Sequence, residues 1–303
     1  MTINNQKPPR FRIPNLVRKL REDKRAQGFV LISPTLFYLL IFMIVPMILV
    51  LIISVMTRGT YGNIEYRFSL ESYSRLIDPL YFRVLRYTIF TAGLTTLITI
   101  IIGYPLAYYI SRVNPRQRTF LLFLILVPFW TNFLIRIYAW IMILRTEGLL
   151  NNILLSLNFI KAPLEIFATP LAVQIGMVYE FLPFMILPLY TSLEKIENSQ
   201  LEAAADLGAR PWRAFLRVTL PLSIPGIIAG SILVFIPAMG MFVIPDLMGG
   251  ARNMLVGNLI RNQFMASRDW PFGSAASVLL LLLTLVVTLI YTRKAGFKED
   301  ILL

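Results

Sequence analysis

Long apolar stretches, separated by short charged segments, set the rhythm of this chain. No charged residue occurs between Arg25 and Arg58 or between Arg86 and Arg112, which marks spans at about Phe29–Met56 and Tyr87–Ile110. Four further runs follow, at about Phe120–Leu144, Pro170–Tyr190, Leu222–Pro245 and Ser274–Tyr291. Each approaches or exceeds the ~20 residues with which a helix crosses ~30 Å of hydrocarbon. The third run holds one charge, Arg136, and the fourth holds one, Glu180. Prolines inside the runs (Pro46, Pro105, Pro128, Pro183, Pro188 and Pro237) imply kinks, which a helical bundle tolerates where neighbours satisfy the freed backbone.

The longest polar-containing stretch of the second half lies between the fourth and fifth runs, from Ser199 to Pro221. Ser199 and Glu202 have the spacing of a capping box, so a helix is expected to begin there. Gly208 is placed to close it in a left-handed conformation. Pro211 suits the first turn of a second short helix, expected to end before Leu220 and Pro221. The prediction is helix, sharp turn, helix, held between two spans.

Composition agrees with a membrane chain. The protein has 303 residues, 57% of them hydrophobic, and a mean hydropathy of +0.69. The net charge of +13 would suggest nucleic acid in a soluble protein, but its distribution points to lipid. With the N-terminus inside, the segments 1–28, 111–118, 191–221 and 292–303 carry 18 lysines and arginines, against 10 in the opposite loops. The positive-inside rule then gives six spans with both termini cytoplasmic, and puts the Ser199–Pro221 stretch on the cytoplasmic face. Residues 1–28 read as a basic cytoplasmic tail lying on anionic headgroups, 29–292 as the six-span domain with its polar helices at about 197–221, and 293–303 as a cytoplasmic end.

The chain contains no Cys and no His, which excludes disulfides, thiol nucleophiles, and zinc or haem ligation by those residues. No phosphate loop, dinucleotide fingerprint, H-E-x-x-H motif or intramembrane carboxylate pair is present. Catalysis within the membrane is therefore the weakest reading, behind a transporter or channel driven by ions.

Glu202-Ala203-Ala204, then Gly208, then Val218-Thr219-Leu220-Pro221 resembles the EAA motif of ABC importer permeases, E-A-A-x3-G-x9-I-x-L-P, with Val218 in place of Ile. Asp78–Phe82 (DPLYF), VPFWTNFLIRIY from Val127, DLMGGARN from Asp246 and RDWPFG from Arg268 are similar to the B-type membrane subunits of bacterial spermidine/putrescine importers. That likeness spans roughly residues 29–292. It implies an all-α, six-helix, type I importer permease of the bacterial inner membrane, with no catalytic residue and no cofactor of its own. ATP and Mg would be used by an ATPase homodimer docked on Glu202, Ala203, Ala204, Gly208, Leu220 and Pro221. A second permease subunit and an extracytoplasmic polyamine-binding protein would complete the assembly. Another cargo, such as an organic phosphonate or an iron chelate, stays open at this point.

A polycation crossing the bilayer needs acidic or aromatic partners. Glu180 is the one acid within a span, and it either faces that path or neutralises Arg136. Asp246, at the end of the fifth run, either meets an arriving cation or is a solvated loop residue. Trp130, Tyr138, Trp140 and Tyr179 are aromatic candidates, with lipid contact or plain packing as the alternative. Ala229-Gly230-Ser231 and Ala238-Met239-Gly240 are small enough for close helix approach.

Overall fold

The computed structural model describes residues 24–250 and 253–294, so most of the basic tail and the C-terminal end lie outside the described residues. The chain divides into two units at Ile52/Ile53.

The described residues of the first unit form one helix that carries a π turn. α1 (Lys24–Leu39) leads through a π turn at Leu40–Ile44 into α2 (Val45–Ser54). The wide turn ends two residues before Pro46, which supplies no N–H and whose ring crowds the carbonyl four residues back. All residues from 31 to 49 are exposed and almost wholly apolar, as expected of a helix whose solvent is lipid.

The second unit opens with a feature that the apolar runs do not reveal. β1 (Met56–Arg58) and β2 (Ile64–Phe68) pair antiparallel, with Arg58 opposite Ile64. Gly62 turns the hairpin at φ +78°, where a side chain would be strained. α3 (Glu71–Leu76) and Asp78, whose carboxylate accepts the Leu80 N–H at 2.8 Å, then lead into α4 (Pro79–Arg112). Asp269 fastens this region to the start of the last helix. Its buried carboxylate meets Arg75 at 2.9 Å and Arg58 at 3.6 Å and caps Phe272 N at 3.1 Å, while the Arg75 guanidinium lies 4.4 Å over the Phe272 ring. Burial acts most strongly on Arg75 and would lower its pKa, but the hydrogen bond and charge of Asp269, aided by Tyr81, raise it on balance.

The third apolar run is not the single continuous span expected. α5 (Pro115–Leu126) ends in a 3₁₀ turn at Val127–Trp130, and α6 (Phe133–Leu144) leaves at a bend of 93°. Pro128 occupies the start of the 3₁₀ turn, and extended Asn132 caps the new helix by accepting Leu134 N at 2.8 Å. Proline geometry and an N-cap at this spacing make a corner where hydropathy reads only length. After α7 (Leu149–Ser156) comes α8 (Pro170–Glu194). α9 (Asn198–Asp206), α10 (Pro211–Ala214), α11 (Leu220–Gly240), α12 (Val243–Met248), α13 (Val256–Met265) and α14 (Trp270–Lys294) complete the chain. Among the described residues five helices are long and apolar enough to cross a membrane, or six if the bent pair is one span.

The core runs along α8, which α4 and α11 flank. Met177, Met185, Ile186 and Leu189 of α8 are fully buried against Ala92 and Ala107 of α4 and Val234 and Ala238 of α11. Glycines permit the approach. A Cβ on Gly226 would meet the Pro188 carbonyl oxygen at 2.7 Å, and one on Gly230 would meet Met185 Sδ at 2.7 Å. A stripe of buried threonines on α4 also faces inward. Thr88 accepts Val256 N at 2.9 Å and Thr95 accepts Gln174 Nε2 at 2.8 Å, while both hydroxyls donate to their own helix backbone.

Candidate functional site: a docking loop and a buried charge pair

The polar stretch folds as helix, turn and helix, with two corrections. First, Ser199 is not the N-cap. α9 starts one residue earlier, behind Glu197, and the Ser199 hydroxyl donates to Glu197 Oε2 at 3.0 Å instead of reaching the backbone. Ser199 is already a helical residue and not the extended one before the first turn, so its oxygen is not placed to accept a backbone N–H and the capping box does not form. Second, α10 does not stop before Leu220. It widens into a π turn at Phe215–Thr219 and continues as α11, giving one helix from Pro211 to Gly240. This π turn, like the one in the first unit, ends two residues before a proline, here Pro221. The missing N–H is absorbed by a local widening and the helix survives.

Gly208 behaves as expected. It sits at φ +78°, its N–H reaches Ala205 O at 2.8 Å, and Ala209 N reaches Ala204 O at 3.0 Å. These two bonds are the Schellman pattern, which closes α9 and lets Pro211 open α10 two residues after Ala209. The turn presents an uncovered face. Glu202, Ala203 and Gly208 are exposed, Leu207 is 89% exposed and Trp212 68% exposed, and Glu202 has no partner among the described residues. Ala204 and Leu220 are half-buried and Pro221 is exposed.

Behind this face the loop is held firmly. Phe215 packs edge-on against Tyr104 (5.7 Å) and Tyr108 (6.2 Å) of α4 and stacks with Trp212 (5.9 Å). Ser223 Oγ donates to Leu220 O at 2.9 Å, so the Tyr104 hydroxyl, 2.9 Å away, donates to Ser223. Arg112 donates to Asn198 Oδ1 at 2.8 Å, and Arg118 pairs with Glu194. An exposed, partly apolar edge on a rigid base is an arrangement for receiving another protein.

The residues proposed for the path fall into separate contacts. Arg136 Nη2 donates to Glu180 Oε1 at 3.0 Å, both side chains being buried, so of the two alternatives for Glu180 the ion pair is present. Asp246 is neither free nor simply solvated: it accepts from Asn258 and pairs with Arg261 at 2.7 Å. Trp140 and Tyr179 meet edge-on at 5.4 Å. Trp130 touches Phe123 at 5.5 Å and is otherwise exposed, as is Tyr138. Sequence reasoning missed Gly226 as a packing residue, although Gly226 and Gly230 form a G-x-x-x-G spacing that would have found it.

Comparison with known proteins agrees with this architecture. Residues 99–294 match the family described as binding-protein-dependent transport system inner membrane component. The chain is 47% identical over 256 residues to the spermidine/putrescine transport system permease protein PotB of Haemophilus influenzae, covering 84% of this chain and 90% of that one. PotB of Escherichia coli gives the same identity, covering 84% and 93%. The inner membrane ABC transporter permease protein YdcU of Escherichia coli is 31% identical over 75% of this chain and 76% of its own. In fold, a chain of the bacterial alginate ABC transporter crystallised with an alginate pentasaccharide-bound periplasmic protein superposes with a TM-score of 0.75 at 17% identity, covering 93% of this chain and 97% of that one. With its long apolar helices and that family match over 99–294, the chain belongs to the binding-protein-dependent transport system inner membrane components, as a multi-pass permease subunit of the ABC type.

Proposed function

We propose that this permease carries spermidine and putrescine into the cell. The observation that carries the reading is the 47% identity to two PotB proteins over 84% of the chain. In this reading both termini and the α9–α10 loop are cytoplasmic. A homodimer of ATPase subunits seats on the exposed face of Glu202, Ala203, Gly208 and Leu207, and a second permease completes the pore. A polyamine-binding protein delivers cargo on the opposite side. ATP and Mg act on the ATPase, and this chain holds no cofactor. The path is assigned to Glu180, with Trp130, Tyr138 and Tyr179 as aromatic contacts and Asp246 at its outer end.

The test is uptake of labelled spermidine and putrescine by proteoliposomes holding the complete complex, with binding protein outside the inward-facing ATPase. ATP-dependent uptake and polyamine-stimulated hydrolysis are expected. Hydrolysis stimulated only by a phosphonate- or iron-chelate-loaded binding protein would overturn the cargo. Uptake that persists without the ATPase would overturn the mechanism.

A further inference from the structure

Burying an ion pair away from water is costly, and one contact does little to offset it. A pair whose purpose was to fasten α6 to α8 would present the paired edge of the guanidinium to both carboxylate oxygens. Arg136 and Glu180 do not. Their single bond joins Nη2 to Oε1 at 3.0 Å, while Glu180 Oε2 and Arg136 Nε are shut away from solvent with no partner among the described residues. The guanidinium lies instead over the ring of Phe129, 4.7 Å from its centre, and 6.0 Å from that of Phe133. A cation therefore rests against one carboxylate oxygen and two aromatic faces, in the corner where the third span breaks. That combination attracts any organic cation, because ring quadrupole and carboxylate favour positive charge of whatever source.

We propose that Phe129, Phe133 and Glu180 form a receiving site for a primary alkylammonium group, and that Arg136 is its resident occupant. This rests on the polyamine reading and refines it. The incoming ammonium takes the free Oε2 of Glu180 first, and the guanidinium then withdraws along the two rings. At no stage is the carboxylate buried without a counter-charge, so it never meets the desolvation cost of an isolated ion, while the rings face the withdrawing guanidinium. Neutral and anionic solutes gain nothing from such an exchange, so the same corner favours cations over both.

The experiment measures KM and Vmax for spermidine uptake by the complete reconstituted complex, together with the amount of complex assembled. Arg136→Gln removes the competitor, so KM is expected to fall about tenfold, with a lower Vmax because cargo is held too well. Glu180→Gln leaves the resident cation facing the cargo, so KM should rise at least about tenfold. The double variant should have a KM below that of Glu180→Gln alone, and Arg136→Lys, which keeps a cation over the rings, should stay near wild type. Single substitutions that lower only the amount of complex, with KM unchanged and assembly restored in the double variant, would show a structural pair and overturn the proposal. Polyamine uptake by wild type with KM shifted in the same direction by both single substitutions would overturn this site alone. A wild-type complex that does not transport polyamines would overturn both it and the cargo assignment.

Discussion

Replacing Gly226 by alanine tests whether the close approach of α8 and α11 organises this permease. The added Cβ would stand 2.7 Å from the Pro188 carbonyl oxygen and 2.6 Å from Ser192 Oγ, whereas ordinary contact starts at 3.4 Å. The serine hydroxyl can rotate, but the Ser192 Cβ, also 2.7 Å away, and the carbonyl are fixed to the α8 backbone and cannot. The two helices must therefore part by about 0.7 Å, the difference between those distances, along the seam that buries Met185 and Leu189. Overpacking of this kind costs about 1–3 kcal/mol. At about 2–4 °C per kcal/mol for a chain of this size, a mid-range cost lowers the melting temperature by about 4–8 °C. The assay is retention of the monodisperse detergent peak after stepwise heating. Gly93→Ala is the control, because nothing lies within 4 Å of its Cβ. A helical glycine replaced by alanine without a clash gains about 0.5–1 kcal/mol, so this variant should melt slightly higher. A Gly226→Ala protein that melts at or above Gly93→Ala would refute the packing argument.

Three further outcomes are expected. Gly208→Asp forces a side chain into the left-handed turn at a strain of about 1–2 kcal/mol, with no clash to relieve. ATP-driven uptake in proteoliposomes should be lost while membrane insertion is unchanged, and normal uptake would count against a docking role for the loop. Asp269→Ala removes the acceptor shared by Arg58 and Arg75 and the cap on Phe272, at about 1.5–3 kcal/mol. Limited proteolysis should then cut within residues 59–63 faster than in wild type. Tyr104→Phe deletes the hydroxyl bonded to Ser223 at a cost of about 1 kcal/mol. Its signature should be faster amide exchange around residues 215–223, and unchanged exchange there would show that the rings alone hold the loop.

The polar loop is legible because its chemistry is local. A left-handed glycine and a proline two residues beyond its C-terminal neighbour have one economical solution, and the chain adopts it. What local spacing misjudges is where a helix starts and stops. Ser199 has the right neighbours for a cap, but the helix starts before it, behind Glu197. Leu220-Pro221 looks like a stop, but a π turn lets the helix pass. The corner at Val127–Asn132 is invisible to hydropathy, which counts apolar residues without asking where their backbone bonds go. The hairpin was readable from the alternation Ile64-Glu65-Tyr66-Arg67-Phe68 after Gly62-Asn63. Arg136 was legible as a partner for Glu180, as the one base within a span beside the one acid, but the choice between that pair and the path was not, because which faces of two spans meet is decided by glycines and threonines buried elsewhere.

The unbroken helix from Pro211 to Gly240 has a mechanical consequence. Within its 30 residues Phe215 and Ser223 meet Tyr104 of α4, and beyond them Gly226 and Gly230 seat the helix closely on α8. Taking Ser223 as a fulcrum, the arm toward Pro211 is about 18 Å long and the arm toward Gly240 about 26 Å, at 1.5 Å per residue. Moving as a rigid rod together with α8, the helix would turn a displacement of about 3 Å at Trp212 into about 4 Å the opposite way at Gly240. Reach is gained at the expense of force, in the ratio of the two arms. Tyr104 stands at the point that divides the helix into its short arm and its long one.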